Sequence, residues 1–221
     1  ASLEISYWLQ CKGLKSEILH GDIRNTVERI QVHYNNFEAQ KALKGKRIGV
    51  IGTPSSWLIA SGVDYLLSKQ RWGVEYINIP IENVTKRYAL IGEDEVGEQA
   101  AQIAGKALAC READPEDMIN AMRIYKAIKE ICEKEKLNAI TLNCYKIITL
   151  LGTTGCLAMS LLNDEGILAG CEGDLQSIFT FMAIKAVTGR SAFMANPIRI
   201  DIKCNEIVMA HCTVSTKLTE R

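Results

Sequence analysis

At 221 residues, with 48% apolar and 24% charged side chains, the chain has the makeup of a globular protein of one large domain or two small ones. Its 26 basic and 26 acidic residues cancel, which argues against a protein built mainly to grip nucleic acid, since that takes clustered Lys and Arg. An acidic disordered tail is excluded on the same balance. No run approaches the ~18 apolar residues that spanning a bilayer takes, so no membrane helix is expected.

The first residues form a helical pattern, with Leu3, Tyr7, Trp8 and Cys11 on one face and Gly13 as the stop. Residues 16–21 (SEILHG) read as a short strand, and 23–43 return to a helical period through Ile23, Val27, Ile30 and Phe37. Arg47–Ile51 is a buried strand and Gly52-Thr53-Pro54 a turn, after which Ser55 or Ser56 is placed to cap a helix starting near Trp57. The strand at 74–80 completes a parallel crossover unit. Helices follow at 93–109 and at 115–135, the second with Asp114 as cap and Pro115 in its first turn. A strand at 137–144, a helix at 152–166, a strand at 167–171 and a helix at 172–189 continue the alternation. From Ser191 onward the pattern is strand-rich, with a turn at Lys203–Glu206, and HCTVSTKLTER reads as a last strand followed by charges. The order predicts an α/β fold, a Rossmann-like doubly wound parallel sheet with a short strand-rich C-terminal segment. A boundary near residue 45 is expected at the charged link ALKGKR. Both ends read as those of a piece of a longer protein.

None of the eight Cys forms a C-x-x-C pair, and most lie in apolar segments such as TLNCYK, TGCLAM and AGCEGD. The first ten residues also lack a secretory signal. The cysteines therefore read as reduced, buried thiols of a cytoplasmic protein. Cys204, His211 and Cys212 do not have a zinc-ligand spacing. Gly49–Trp57 lies at a strand end, where open α/β sheets place ligands, but it lacks the third Gly of a dinucleotide fingerprint and the Lys of a P-loop. His20 and His33 read as surface or structural residues.

Cys171-Glu172-Gly173-Asp174-Leu175 is more informative. Two carboxylates close a short apolar strand and open a helix, with Gly173 expected to leave open backbone beside Glu172. Asp174 as helix cap and Glu172 as a solvated strand end would account for both. Hard divalent ions also favour carboxylates in such a place. Asn196 puts an amide at a strand end, and His211 stands in the apolar stretch IVMAHCTV, where a lone His reads first as a satisfied core residue.

The stretch GTTGCLAMSLLNDEGILAGCEGDLQSIFTFMAIKAVTGRSAFMANPIRID, with NEIVMAHCTVSTKL after it, resembles the central domain of L-fucose and L-arabinose isomerases, nearest to the fucose-isomerase-like proteins. The resemblance implies an oligomeric, cytoplasmic ketol isomerase that moves a proton between C1 and C2 of an open-chain sugar through an enediol, with a divalent ion such as Mn²⁺. It implies residues 1–45 as the end of a first α/β domain, 46–190 as the central one, and 191–221 as strands leading toward a C-terminal barrel. Glu172 matches the family's metal-binding acid, with Asp174 as second or alternative ligand, and Asn196 and His211 as substrate-binding residues. Where the family has its second acid, near the end of ITLNCYK, this chain has Tyr145 and Lys146. Lys146 is the proton-transfer candidate there, and the departure leaves a non-isomerising sugar- or sugar-phosphate-binding protein as the alternative.

Overall fold

The computed structural model describes residues 1–218. By its internal contacts the chain divides into two compact units, Ala1–Lys41 and the remainder from Ala42.

The first unit holds α1 (Ser2–Cys11) and most of α2 (Ile23–Leu43), as the helical periods predict. The strand expected at 16–21 does not form. Residues 14–20 have no strand partner among the described residues, and the side chains of Ser16 and Glu17 are engaged locally instead. Ser16 Oγ lies 2.8 Å from Ser6 Oγ, and the Glu17 carboxylate receives Arg29 at 2.6 Å and His33 at 2.8 Å.

The second unit is built on a parallel four-stranded sheet. Its strands are β1 (Arg47–Ile51), β2 (Glu75–Ile79), β3 (Ala139–Leu142) and β4 (Leu168–Gly170), in the order β2-β1-β3-β4. β1 and β3 are the inner strands, and they read as continuous apolar runs because helices cover both faces. Ile51, Ile79, Ile140, Leu142 and Ala169 face one side, against α4 (Ile81–Leu90), α6 (Pro115–Lys134) and α8 (Cys156–Glu165). Ile48, Val50, Tyr76, Ala139 and Leu168 face the other, against Leu175, Ile178, Phe181 and Met182 of α9 (Leu175–Thr188). Each such buried aliphatic side chain is worth about 1.5–3 kcal/mol of transfer free energy, so this double cover holds the unit together. No helix among the described residues is long and apolar enough to cross a membrane.

Local differences from the sequence reading have physical causes. No helix begins at Trp57: residues 57–64 are turns and irregular backbone, and α3 (Tyr65–Trp72) starts where Asp64 accepts the Leu67 N–H at 2.9 Å. The expected helix at 93–109 opens with a 3₁₀ turn at Glu93–Glu95 and continues as α5 (Gly97–Lys106). The strand at 137–144 stops at Leu142, because Asn143 turns and caps a helix, α7 (Cys144–Leu151), accepting the Lys146 N–H at 3.1 Å. β5 (Asn196–Asp201) and β6 (Glu206–Ala210) form an antiparallel hairpin, and past Ala210 the chain leaves the strand. The cysteines are also less buried than expected. Cys132, Cys144 and Cys171 are buried, Cys156 is half-buried, and Cys11, Cys110, Cys204 and Cys212 are exposed.

Candidate functional site

From β1 the chain first goes outward to β2 and later returns to β3 on β1's other side. Strand order therefore reverses between β1 and β3, and open parallel sheets bind ligands beyond the carboxyl ends of the strands at such a point. Three loops meet there: 52–57 after β1, Asn143 after β3 and 171–174 after β4. Asn143 Nδ2 donates to Thr53 O at 2.7 Å, the Ser55 N–H to Glu172 O at 2.9 Å, and the Gly173 N–H to Leu142 O at 3.0 Å. The loops thus hold one another through main-chain oxygens.

Glu172 is set in this junction by its backbone. Its φ is +64°, a left-handed conformation uncommon for a residue with a side chain, and Gly173 follows at +72°. A Cβ on Gly173 would lie 2.7 Å from Pro54 Cα and 3.0 Å from Thr53 O, so the backbone there is crowded against the first loop rather than open. The Glu172 carboxylate is consequently aimed. Oε2 accepts the Trp57 Nε1–H at 3.0 Å, while Oε1 faces His211 Nε2 at 3.8 Å. The two side chains are 19% and 7% exposed, a sheltered acid–imidazole pair. Trp57 also meets the edge of Tyr145, with ring centroids 4.9 Å apart, and the negative charge of Glu172 raises the Tyr145 phenol above its ordinary value. Beneath them the Cys171 thiol lies 2.8 Å from that of Cys144, and this hydrogen bond lowers Cys144 to about 7 while raising Cys171.

His211 reaches Glu172 because the segment after β6 is laid along α8. Cys156, Ser160 and Asp164 are spaced four apart and so share one face of that helix. Cys156 Sγ meets Cys212 Sγ at 3.0 Å, Ser160 Oγ donates to Val214 O at 2.5 Å, and Asp164 accepts from the Ser215 and Thr216 hydroxyls at 2.6 and 2.7 Å. Lys217 Nζ adds a bond to Asp164 O at 2.6 Å. Partial burial disfavours the Asp164 anion, but the Ser215 and Thr216 hydroxyls and the Lys217 N–H outweigh it, and its pKa is lowered. The anchoring is then fully present above the usual aspartate value of ~3.9 and is lost as pH falls through the lower folded value. Amide exchange across 211–217 is expected to stay slow at mildly acidic pH and to accelerate below that range. Asp164→Asn should remove this step, and a step that persists in the variant would assign it to another group.

The other sequence candidates fall in different places. Asp174 caps α9: Oδ1 accepts the N–H groups of Gln176 and Ser177 at 3.0 and 2.9 Å, and Oδ2 accepts the Ser177 hydroxyl at 2.8 Å. Asp174→Ala is expected to cost about 1 kcal/mol in a denaturant titration, as losing an N-cap does, and to leave Mn²⁺ affinity unchanged. A tenfold or greater loss of metal affinity would instead make Asp174 a ligand. Lys146 is exposed on the first turn of α7 and lines a cavity of about 450 Å³ bounded by Gly52–Pro54, Tyr65 and Asn78–Glu82. Asn196 is exposed at the start of β5, paired with Ala210 and hence one position from His211 in the hairpin. The sequence reading missed Trp57 and Tyr145. Their signal was position, an indole at the end of a strand-end loop and a phenol beside the next strand's end.

A divalent ion would find a carboxylate and an imidazole here, Glu172 and His211, donor types that Mn²⁺ accepts. Among the described residues no group of three His, Cys, Asp or Glu side chains is arranged to hold a metal.

No family model matches the chain. It is similar to sulfoquinovose isomerase of Priestia megaterium, 24% identical over 188 residues, and to that of a Clostridium species, 24% over 190 residues. The sulfoquinovose isomerase of Alkalicoccus urumqiensis is 21% identical over 187 residues. Each match takes in 84% of this chain and 42% of the relative, so the chain spans less than half the length of the curated relatives it matches, all of them named as sugar isomerases.

Proposed function

We propose that this chain carries the proton-transfer centre of an aldose–ketose isomerase of the fucose-isomerase-like kind, with sulfoquinovose as the first substrate to try. The observation that carries the reading is Glu172, sheltered at the sheet's switch point with Oε2 held by Trp57 and Oε1 free toward His211. A carboxylate fixed by one oxygen has the other available as a base. Glu172 Oε1 takes the proton from C2 of the open-chain aldose and returns it to C1, while the hydroxyl proton of O2 passes to O1, so the sugar goes through an enediol. His211, its Nδ1 beside the Thr213 hydroxyl at 3.2 Å, directs Nε2 at the reacting oxygens. His211 and the Glu172 oxygen not engaged with the proton are the groups that would hold Mn²⁺, which when bound would draw charge from the adjacent sugar oxygens and so acidify the C–H bond. Lys146, which lines the adjoining cleft with Thr53, Pro54 and Glu82, is the second candidate for proton transfer.

The alternative, a sugar- or sugar-phosphate-binding protein without isomerisation, is favoured by Tyr145 and Lys146 standing at the start of α7, where the resemblance expects a second acid. Thermal-shift measurements with Mn²⁺, sulfoquinovose or both separate the two. The isomerase reading expects Mn²⁺ alone to raise Tm, the sugar to act only in its presence, and Glu172→Gln to erase both shifts. A sugar-induced rise that ignores Mn²⁺ overturns it in favour of the binding protein.

A further inference from the structure

The two thiols at the head of the seam between α8 and the 211–217 segment belong to no step of the proposed reaction. Cys156 and Cys212 are 56 residues apart, and their sulfurs face each other at 3.0 Å. Cys212 is exposed and Cys156 half-buried, so a small disulfide reaches the pair from solvent. The other close pair, Cys144 and Cys171, is buried on both sides and offers no such access. Three further cysteines are exposed, but none has a thiol partner among the contacts of the described residues. The backbone on both sides of the exposed pair is already tethered one and two helical turns further on, through Ser160 and Asp164. The pair is thus held in register by bonds that do not involve sulfur.

We propose that Cys156 and Cys212 form a reversible disulfide by exchange with a low-molecular-weight disulfide such as oxidised glutathione, and that the bond clamps the His211-bearing segment onto α8. Cys212, the exposed thiol, gives up its proton, attacks one sulfur of the reagent and releases one thiol, leaving a mixed disulfide on the protein. Cys156 gives up its proton, attacks the Cys212 sulfur and releases the second thiol. One S–S bond is broken and one made, the two cysteines lose two electrons and two protons, and the reagent leaves as two thiols. Closing the sulfurs from 3.0 Å to the ~2.05 Å of a disulfide takes about 1 Å of movement, within reach of side-chain rotation.

The test is to equilibrate the chain with oxidised glutathione, block free thiols by alkylation, and map peptides without reduction. Trypsin combined with a Glu-specific protease is required, since Glu165 separates Cys156 from Cys171 and Glu206 separates Cys204 from Cys212. The expected product is a Cys156–Cys212 cross-linked peptide that dithiothreitol removes, and in Cys156→Ser a glutathione adduct stays on Cys212. Alkylation of both cysteines after treatment, separate adducts on each, or a cross-link found on Cys144–Cys171 instead would overturn the proposal. A second readout tests the clamp. In Asp164→Asn, where the seam has lost its lower anchor, oxidation is expected to restore slow amide exchange across 211–217. Exchange that stays fast in the cross-linked variant would refute the clamping role. Neither measurement depends on isomerase activity, so the failure of one proposal leaves the other standing.

Discussion

Glu172→Gln is expected to lower the proposed isomerase turnover by about 10²–10⁴-fold, the range that a positioned general base contributes, while leaving the unfolding midpoint nearly unchanged. The substitution keeps shape and changes charge. A Gln side-chain oxygen still accepts the Trp57 Nε1–H, so the bond that fixes loop 52–57 survives. The other position becomes an amide NH₂ facing His211 Nε2, with neither a lone pair for the C2 proton nor a negative charge. The same variant has a signature independent of turnover. The charge of Glu172 is the largest cause of the raised Tyr145 phenol, so that phenol should titrate at lower pH in the variant, and Tyr145→Phe identifies it in the ultraviolet difference spectrum. An active Glu172→Gln enzyme would place the base elsewhere.

Gly173→Ala is expected to be the most damaging small substitution at the site. At φ +72° a side chain costs about 1–2 kcal/mol by itself. The added Cβ also meets Pro54 Cα at 2.7 Å and Thr53 O at 3.0 Å, which are backbone atoms that cannot rotate away. Either the 171–174 turn or loop 52–57 must move, and both the Ser55–Glu172 and Trp57–Glu172 bonds cross that gap. Denaturant unfolding should show a loss of about 2–3 kcal/mol, within the range for strain at a special backbone position. Turnover should fall further than this stability loss alone explains, because the carboxylate is no longer aimed. A variant with normal stability and activity would mean that the packing of the two loops does not position Glu172.

Much of the fold was legible because its signals are local. β1 declares itself by a continuous apolar run, α6 by Asp114-Pro115 and a periodic face, and α9 by Asp174 and the terminal Gly189. What the sequence hid depended on partners distant along the chain. Asn143 looks like the interior of a strand, yet its side chain both caps α7 and ties β3 to Thr53, 90 residues earlier. Ser55 looks like a cap, yet its hydroxyl is buried without a hydrogen-bond partner among the described residues and its backbone N–H serves Glu172. SEILHG has the composition of a strand but no strand to pair with among the described residues.

The site divides in the same way. Glu172 and His211 stand out as residues, but nothing in their spacing says that they meet. Their encounter rests on the Cys156, Ser160 and Asp164 face of α8, which by itself looks like an ordinary helix stripe. Asp174, equal to Glu172 on the sequence, is distinguished only once its oxygens are seen engaged by the first turn of α9.

The central claim is that Glu172 moves a proton between adjacent carbons of a sugar, and NMR of sulfoquinovose incubated with the protein and Mn²⁺ in D₂O tests it most directly. Wild-type protein is predicted to form the ketose and to place solvent deuterium on the carbons flanking the transferred proton, with neither change in Glu172→Gln. Conversion that proceeds equally in Glu172→Gln, or metal-loaded wild-type protein that binds the sugar with no conversion and no exchange, would contradict it.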